Sequence, residues 1–330
     1  MVTRARVSPR FFTMSSPLKR GRVLLTDHPW PDADIESRIC AEAGFELVDA
    51  PKDAGPEELL ALGRDVVGII TCWAQVPRLL INASPDLVVV SRLGVGIDNI
   101  DVASAHERGV VVTRVPDYCV EEVSDHAVAL VFAWARGIAN LDRSVRAGLW
   151  GAGDYQLRRV RDLTIGVWGT GLNGIRTGEK LSALGCTVFF DDRHPERVPA
   201  MDVLSVSELL GRCDVLSLHL PLNEENKRIV GAEILARMRP NSLLVNTARG
   251  GLIDTEALAS ALDQRRPGFA ALDVLPHEPD VPPALARRDD VLITPHVAFS
   301  SVQSVRELRQ RTTEDLVRTL RGEQPMDPVE

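Results

Sequence analysis

The chain has only five cysteines, and no two of them form a C-x-x-C pair. Cys40, Cys72, Cys119, Cys186 and Cys213 are scattered and odd in number. That usage reads as reduced thiols in a cytoplasmic protein and excludes a disulfide framework. No apolar run reaches the roughly 18 residues a membrane span needs. The basic start, MVTRARVSPRFFTMSSPLKRG, lacks an apolar h-region and makes a poor signal peptide. It is expected to be a loose tail, with Met14 an alternative start of translation. Internal repeats and low-complexity tracts are missing. So are a metal-ligand cluster, a nucleophile elbow and a Walker loop, which leaves no basis for a metal cofactor. The net charge of −8 argues against a general affinity for nucleic acid or anionic membrane.

What is present is the pattern of a soluble α/β protein. The 330 residues, 45% apolar and 25% charged, suggest two domains. Short apolar runs at 22–27, 66–71, 87–92 and 110–115 read as buried strands. Between them, 34–44 and 56–63 carry helical spacing. Continuous apolar strands alternating with helices imply a parallel sheet. Residues 120–150 read as one long helical stretch without proline. A second series follows, with six strands at 163–169, 186–192, 215–221, 242–248, 269–274 and 290–295. Six is the number in a complete doubly wound nucleotide-binding sheet. The last helix has no nearby sheet of its own and is expected to return to the first domain. The expected fold is therefore α/β with two doubly wound parallel-sheet domains. A nucleotide-binding domain, 120–299, is inserted into a discontinuous one, 1–119 and 300–330.

The stretch VWGTGLNG, 167–174, holds G-x-G-x-x-G between a strand and a helix. In that setting Gly169 permits the tight turn. Gly171 lets backbone approach a pyrophosphate, and Gly174 lets helix and strand pack closely. Asp192 ends the next strand, where a carboxylate accepts hydrogen bonds from ribose hydroxyls and repels a 2′-phosphate. NAD is expected over NADP, although Arg193 beside it is a residue that accepts such a phosphate. Asn173 stands where an apolar residue is common. The competing reading is a glycine-rich turn in an unrelated α/β protein.

The chain resembles the D-isomer-specific 2-hydroxyacid dehydrogenases from about Arg22 to Gly322. The stretches that carry this are GVGIDNIDVASAHERGV (94–110), VWGTGLNG, LHLPLNEENKRIVG (218–231), LVNTARGGLIDTEAL (244–258), LDVLPHEP (272–279) and ITPHVAFSS (293–301). PDYCVEEVSDHAVAL (116–130), together with NEEN (223–226) and the helix after PHVAFSS, looks like the branch that includes the C-terminal-binding-protein corepressors and their bacterial relatives. The resemblance implies hydride exchange between NAD and a 2-oxo or 2-hydroxy acid. That chemistry needs a carboxylate clamp, a polarised carbonyl and a proton source.

By resemblance, Arg249 clamps the carboxylate with its fork of donors and polarises the carbonyl. His296 is the acid/base. Glu278 accepts from the other ring nitrogen, fixing the tautomer and favouring the imidazolium, with His277 as its rival. Val95 and Gly96 offer backbone N–H groups to the carboxylate. Leu172 and Asn173 contact the pyrophosphate, and His219, Leu220 and Pro221 wall the adenine pocket. Asn226 stands near the adenosine half. Thr247, Ala248 and Asp273 lie on the nicotinamide side, and Val123 packs on the ring. For Leu220, Pro221 and Val123, ordinary core is an equal reading. Trp73, Tyr118, Trp150 and Tyr155 are aromatics for a substrate pocket, a subunit contact or plain packing. The region 120–150 matches the family's dimer-forming segment, so a homodimer is expected. The alternative function is an NAD-binding regulatory or scaffold protein of the corepressor type.

Overall fold

The computed structural model describes residues 18–153, 155–191, 195–198 and 202–330. It divides into two compact units. One is the chain up to Tyr118 together with Val302–Glu330; the other is Cys119–Ser301. The N-terminal tail up to residue 17, with Met14, lies outside the described residues.

The first unit is built on five parallel strands: β1 (Gly21–Leu25), β2 (Phe45–Asp49), β3 (Val66–Thr71), β4 (Val89–Arg92) and β5 (Val111–Thr113). Their order is β2-β1-β3-β4-β5, all parallel. Every residue of β3 and β4 is buried, as central strands covered on both faces require. Strand β2 is the one the apolar pattern does not reveal. It is an edge strand, FELVD, with only Phe45 buried, so no continuous apolar run marks it.

The helix Val302–Leu320 packs on this sheet. A Cβ at Gly68 would meet Leu316 Cδ1 at 3.2 Å, so the small residue in β3 seats the helix closely. The buried Arg309 guanidinium holds it to the helix Asp34–Glu42, donating to both oxygens of the fully buried Glu36 (Nε–Oε1 2.9 Å, Nη2–Oε2 2.7 Å) and to Asp32. A buried pair of this kind is expensive to break from one side, about 3–5 kcal/mol, because a lone charge stays behind.

The second unit carries seven parallel strands: β6 (Thr164–Trp168), β7 (Thr187–Asp191), β8 (Asp202–Val203), β9 (Val215–Leu218), β10 (Leu243–Asn246), β11 (Phe269–Leu272) and β12 (Val291–Ile293). The order is β12-β11-β10-β9-β6-β7-β8. Six of them correspond to the six apolar runs. The seventh, β8, is a two-residue edge strand on β7, too short to leave a pattern. Successive strand residues point to opposite faces. Val215, Leu243, Val245 and Ala271 thus join one core with Leu130, Val131 and Leu181, while Leu216, Leu218, Leu244, Ala270 and Leu272 join another with Leu235, Leu258 and Leu262.

The stretch 120–150 is two helices and not one. Val120–Ala135 ends at Arg136, and Ile138–Arg146 starts again after Gly137. Gly137 sits at φ 62°, a left-handed conformation that ends the first helix. A Cβ there would lie 2.6 Å from the Tyr155 ring. Among the described residues, no helix is long and apolar enough to cross a membrane.

Candidate active site

Strand β6 turns at Gly169 into the helix Leu172–Ala183. Gly169 has φ 110°, and its missing Cβ would lie 2.6 Å from the His219 carbonyl oxygen. Gly174 is tighter, since a Cβ would stand 2.1 Å from Gly169 O. These two glycines close the turn against itself and against the segment after β9. Gly171 differs: among the described residues nothing lies within 4 Å of its Cβ position, so its bare backbone faces open space there. It is also the residue before the helix, whose N-terminus has no side-chain cap among the described residues. Such an end presents unsatisfied N–H groups and a partial positive charge, which suits a phosphate. The turn lies between β6 and β9, where the sheet order reverses. Open α/β sheets bind ligands there, beyond the carboxyl ends of the strands.

The other candidate residues of this unit follow the same strand ends. Arg249 comes after β10, half-buried in an extended conformation. Its turn is clamped by Asn246, which is fully buried. The Asn246 amide donates to Arg249 O (2.8 Å), and its oxygen accepts from Ala248 N–H (3.0 Å). A Cβ on Gly250 would sit 2.0 Å from the Leu275 carbonyl carbon. That glycine lets the Arg249 turn lie on the backbone at Leu275, so its role is packing between two loops. Leu275 N–H in turn donates to Glu278 Oε1 (2.9 Å). Two turns from different strands are thereby joined.

His296 follows β12. Its Nδ1 lies 2.6 Å from Glu278 Oε2, and its ring meets Phe299 edge-on. The backbone of His296 is left-handed, at φ 51°. Non-glycine residues seldom adopt that conformation, and such strain gathers at functional sites. Here it is held by two bonds from the His296 N–H, to Asp273 O (2.8 Å) and Thr294 O (3.0 Å). The buried Asp273 carboxylate fixes the rest of the loop, accepting from Thr294 Oγ1 (2.6 Å), Val297 N–H (3.0 Å) and Ala298 N–H (2.9 Å). With the threonine proton committed to Asp273, the contact between His126 Nε2 and Thr294 Oγ1 (3.0 Å) has the imidazole donating. His126 and Asn246 are positioning residues that sequence reading missed.

Burial by itself would push the Glu278 carboxyl up. The His296 hydrogen bond, the Leu275 N–H and the charges of His296 and Arg249 outweigh it and hold the carboxyl below its ordinary range. Glu278 is therefore a carboxylate through the neutral range, and its support of His296 is lost only as pH falls through that depressed value. An imidazole oriented at one nitrogen by a carboxylate keeps its other nitrogen for proton transfer. His277 is exposed, and its carbonyl accepts from Asp280 N–H (2.8 Å), so Glu278 and not His277 meets the ring.

Residues 128–298 match the family model described as "D-isomer specific 2-hydroxyacid dehydrogenase, NAD binding domain". The chain is 31% identical over 309 residues to the glyoxylate reductase of Thermofilum pendens, covering 90% of each chain. It is 33% identical over 308 residues to the D-3-phosphoglycerate dehydrogenase of Methanocaldococcus jannaschii, covering 92% of this chain but 58% of that longer one. The solved structure of TT0316 protein from Thermus thermophilus superposes with a TM-score of 0.86 at 32% identity, covering 94% of this chain and all of the other. The chain belongs to the D-isomer-specific 2-hydroxyacid dehydrogenases.

In this 2-hydroxyacid dehydrogenase the residues around the glycine turn fit NAD. Thr247 Oγ1 is buried without a hydrogen-bond partner among the described residues, on the side assigned to the nicotinamide. Leu172 is exposed and Asn173 half-buried at the uncapped helix start. His219 bonds Ser217 Oγ (2.9 Å), and burial pushes its imidazole down to about 4, so the ring is uncharged at neutral pH. Leu220 and the half-buried Ala248 pack against the core, Pro221 is exposed, and Val123 is buried. Asn226 is buried, donating to Pro221 O (3.1 Å) and so holding its own loop. Asp192 and Arg193 lie outside the described residues.

In the first unit of the dehydrogenase, Val95 and Gly96 are half-buried in the loop after β4. Beneath it lies the buried Arg92, whose Nη1 would stand 2.8 Å from a Cβ on Gly94 and whose Nε donates to Asn99 Oδ1 (3.1 Å). Asn99 passes the link to Ala74 O (2.9 Å), next to Trp73. The Trp73 N–H donates to Asp27 Oδ2 (2.7 Å), and the indole is 42% exposed. The turn bearing this aromatic is thus tied to the loop bearing Val95 and Gly96. Tyr118 is buried, and the Tyr155 hydroxyl donates to Trp134 O (2.8 Å). Among the described residues no group of His, Cys, Asp and Glu side chains has metal-holding geometry.

Replacing Glu278 by Gln keeps the hydrogen bond and removes the charge. The alkaline limb of kcat/KM for 2-oxo acid reduction is expected to move to lower pH, because the imidazolium loses its anionic partner. An alkaline limb that does not move would show that the proton comes from another group, His277 being the first to test.

Proposed function

We propose that the protein reduces a 2-oxo acid to its D-2-hydroxy acid. The observation that carries this is the His296–Glu278 bond of 2.6 Å, joined through Leu275 and Gly250 to the turn of Arg249. Bound NADH supplies the hydride. His296 gives a proton to the carbonyl oxygen, and Arg249 holds the carboxylate and polarises the carbonyl. Val95 and Gly96 are assigned backbone donation to the same carboxylate, by resemblance. The matched relatives are named as reductases and dehydrogenases, which supports an enzyme over a scaffold of the corepressor type. The stretch 116–130 supports a place near the corepressor branch on sequence alone. NADH oxidation with a panel of 2-oxo acids tests the proposal, with turnover expected on at least one. Inertness toward all of them, with NADH bound, would favour the scaffold.

Asp192 supports NAD over NADP. NADH is expected to bind more tightly than NADPH, and Asp192→Ala to erode the difference. Tighter binding of NADPH by the parent protein would make Arg193 a phosphate ligand instead. All five cysteines are buried and none is in a disulfide, which supports a reducing, cytoplasmic setting.

A homodimer is the state we propose in solution. No residue of the helix Ile138–Arg146 is buried; Ile138, Val145 and Leu149 are exposed, and Trp150 is 93% exposed. Such a cluster of large apolar side chains marks an interaction surface. Sedimentation should find a dimer for the parent and a monomer for Val145→Asp/Trp150→Asp. A dimer unaffected by the double change would place the interface elsewhere.

A further inference from the structure

The second unit has a cavity of about 450 Å³ that the proposed chemistry does not use. It is lined by Tyr155, Arg158, Asn241, Arg265 and Phe269 among others. Asn241 precedes β10 and Phe269 opens β11, so the cavity sits at the amino ends of these strands. Arg249 and His296 follow the carboxyl ends of β10 and β12. The cavity therefore lies at the opposite edge of the same sheet. Its size is that of a small-molecule site, about 300–1,000 Å³.

Among its described lining residues the charges do not cancel. Arg288 lines it too, but is spent on Asp290 (Nε–Oδ1 2.8 Å, Nη2–Oδ2 2.9 Å) and Asp263 (2.7 Å). Asp289, the other lining carboxylate, is taken by Arg143. Among the described residues, Arg158 and Arg265 have no ion-pair partner. Arg158 donates to the carbonyls of Gln156 (2.8 Å) and Asn241 (3.4 Å), and its guanidinium stacks over Trp134 at 4.3 Å. Arg265 reaches only Asn241 Oδ1, at 3.5 Å.

Burial is the largest influence on Arg158 and pushes its pKa down, whereas the carboxylates around Arg288 push that one up. A half-buried cation without a carboxylate is costly, and an arriving anion offsets the cost. The guanidinium fork matches the oxygens of a phosphate. The volume exceeds what a bare phosphate fills, and Tyr155 with Phe269, edge to face at 5.8 Å, gives an apolar wall for an organic part.

We infer that this cavity binds a short-chain phosphate monoester, held by Arg158 and Arg265. The inference stands apart from the proposed reduction. Its test is calorimetric titration of the full chain, saturated with NADH so that the nucleotide site is filled. Glycerol 3-phosphate should bind, inorganic phosphate at least about tenfold more weakly, and glycerol not at all. Arg158→Gln/Arg265→Gln should weaken glycerol 3-phosphate at least about tenfold with NADH affinity unchanged. Should loss of the Trp134 stacking impair folding of that variant, the exposed Arg265→Gln alone decides, with a weakening of several-fold. Arg249→Gln should leave glycerol 3-phosphate binding unchanged. No binding, binding indifferent to Arg265→Gln, binding lost with Arg249→Gln, or equal affinity for inorganic phosphate would each overturn the assignment.

Discussion

His296→Ala is expected to lose roughly 10²–10⁴ in kcat for any accepted 2-oxo acid, the cost of removing a general acid. NADH affinity should stay nearly unchanged. The geometry separates the two effects. His296 Nδ1 is engaged by Glu278, so the ring has one nitrogen left for the proton. The loop itself is held by the His296 N–H on Asp273 O and Thr294 O, and by the Asp273 carboxylate on Val297 and Ala298. Those bonds use backbone and survive the substitution. His296→Asn is a useful companion, because asparagine tolerates the left-handed backbone found here and supplies no acid. Both variants should fail alike. A variant keeping more than about a tenth of the parent kcat would remove His296 from the chemistry.

Arg249→Gln is expected to lower kcat/KM about 10- to 100-fold, the scale of charge-assisted hydrogen bonds at about 1.5–3 kcal/mol. The fall should appear in KM, and also in kcat if the guanidinium polarises the carbonyl in the transition state. Structure should be preserved, because the turn is clamped by Asn246 through backbone atoms of Ala248 and Arg249. Arg249→Lys restores the charge without the fork and should recover only part of the loss. Michaelis parameters with one 2-oxo acid at saturating NADH decide the point. Equal kcat/KM for parent and Arg249→Gln would assign carboxylate binding elsewhere.

The sequence shows most plainly what depends on local patterning. The central strands are legible in runs such as VVGIIT because both faces of their sheets are covered. The edge strands β2 and β8 are not, since an edge strand need not be apolar and two residues carry no period. The break at Gly137 is hidden because a lone glycine is compatible with helical spacing. Its left-handed backbone, and the Tyr155 ring brought against it from outside the helix, show why glycine is there. At the site, the glycine turn is legible from strand, turn and helix in succession. The roles of Asn246 and His126 are not. Their partners, Ala248 and Arg249 for one and Thr294 for the other, are set by the turn after β10 and by tertiary packing. The glycine after Arg249 leaves no local pattern either; its missing Cβ makes room for the Leu275 backbone, which comes from a distant loop. The resemblance supplied the roles of Arg249, Glu278 and His296; the structure adds the Glu278 bond and the strained backbone beneath His296.

Product chirality tests the central claim most directly. The purified protein is incubated with NADH and a 2-oxo acid that it accepts, and the product is resolved by chiral chromatography. One D-2-hydroxy acid should form for each NADH oxidised. An L product, or NADH oxidation without any 2-hydroxy acid, would contradict the account.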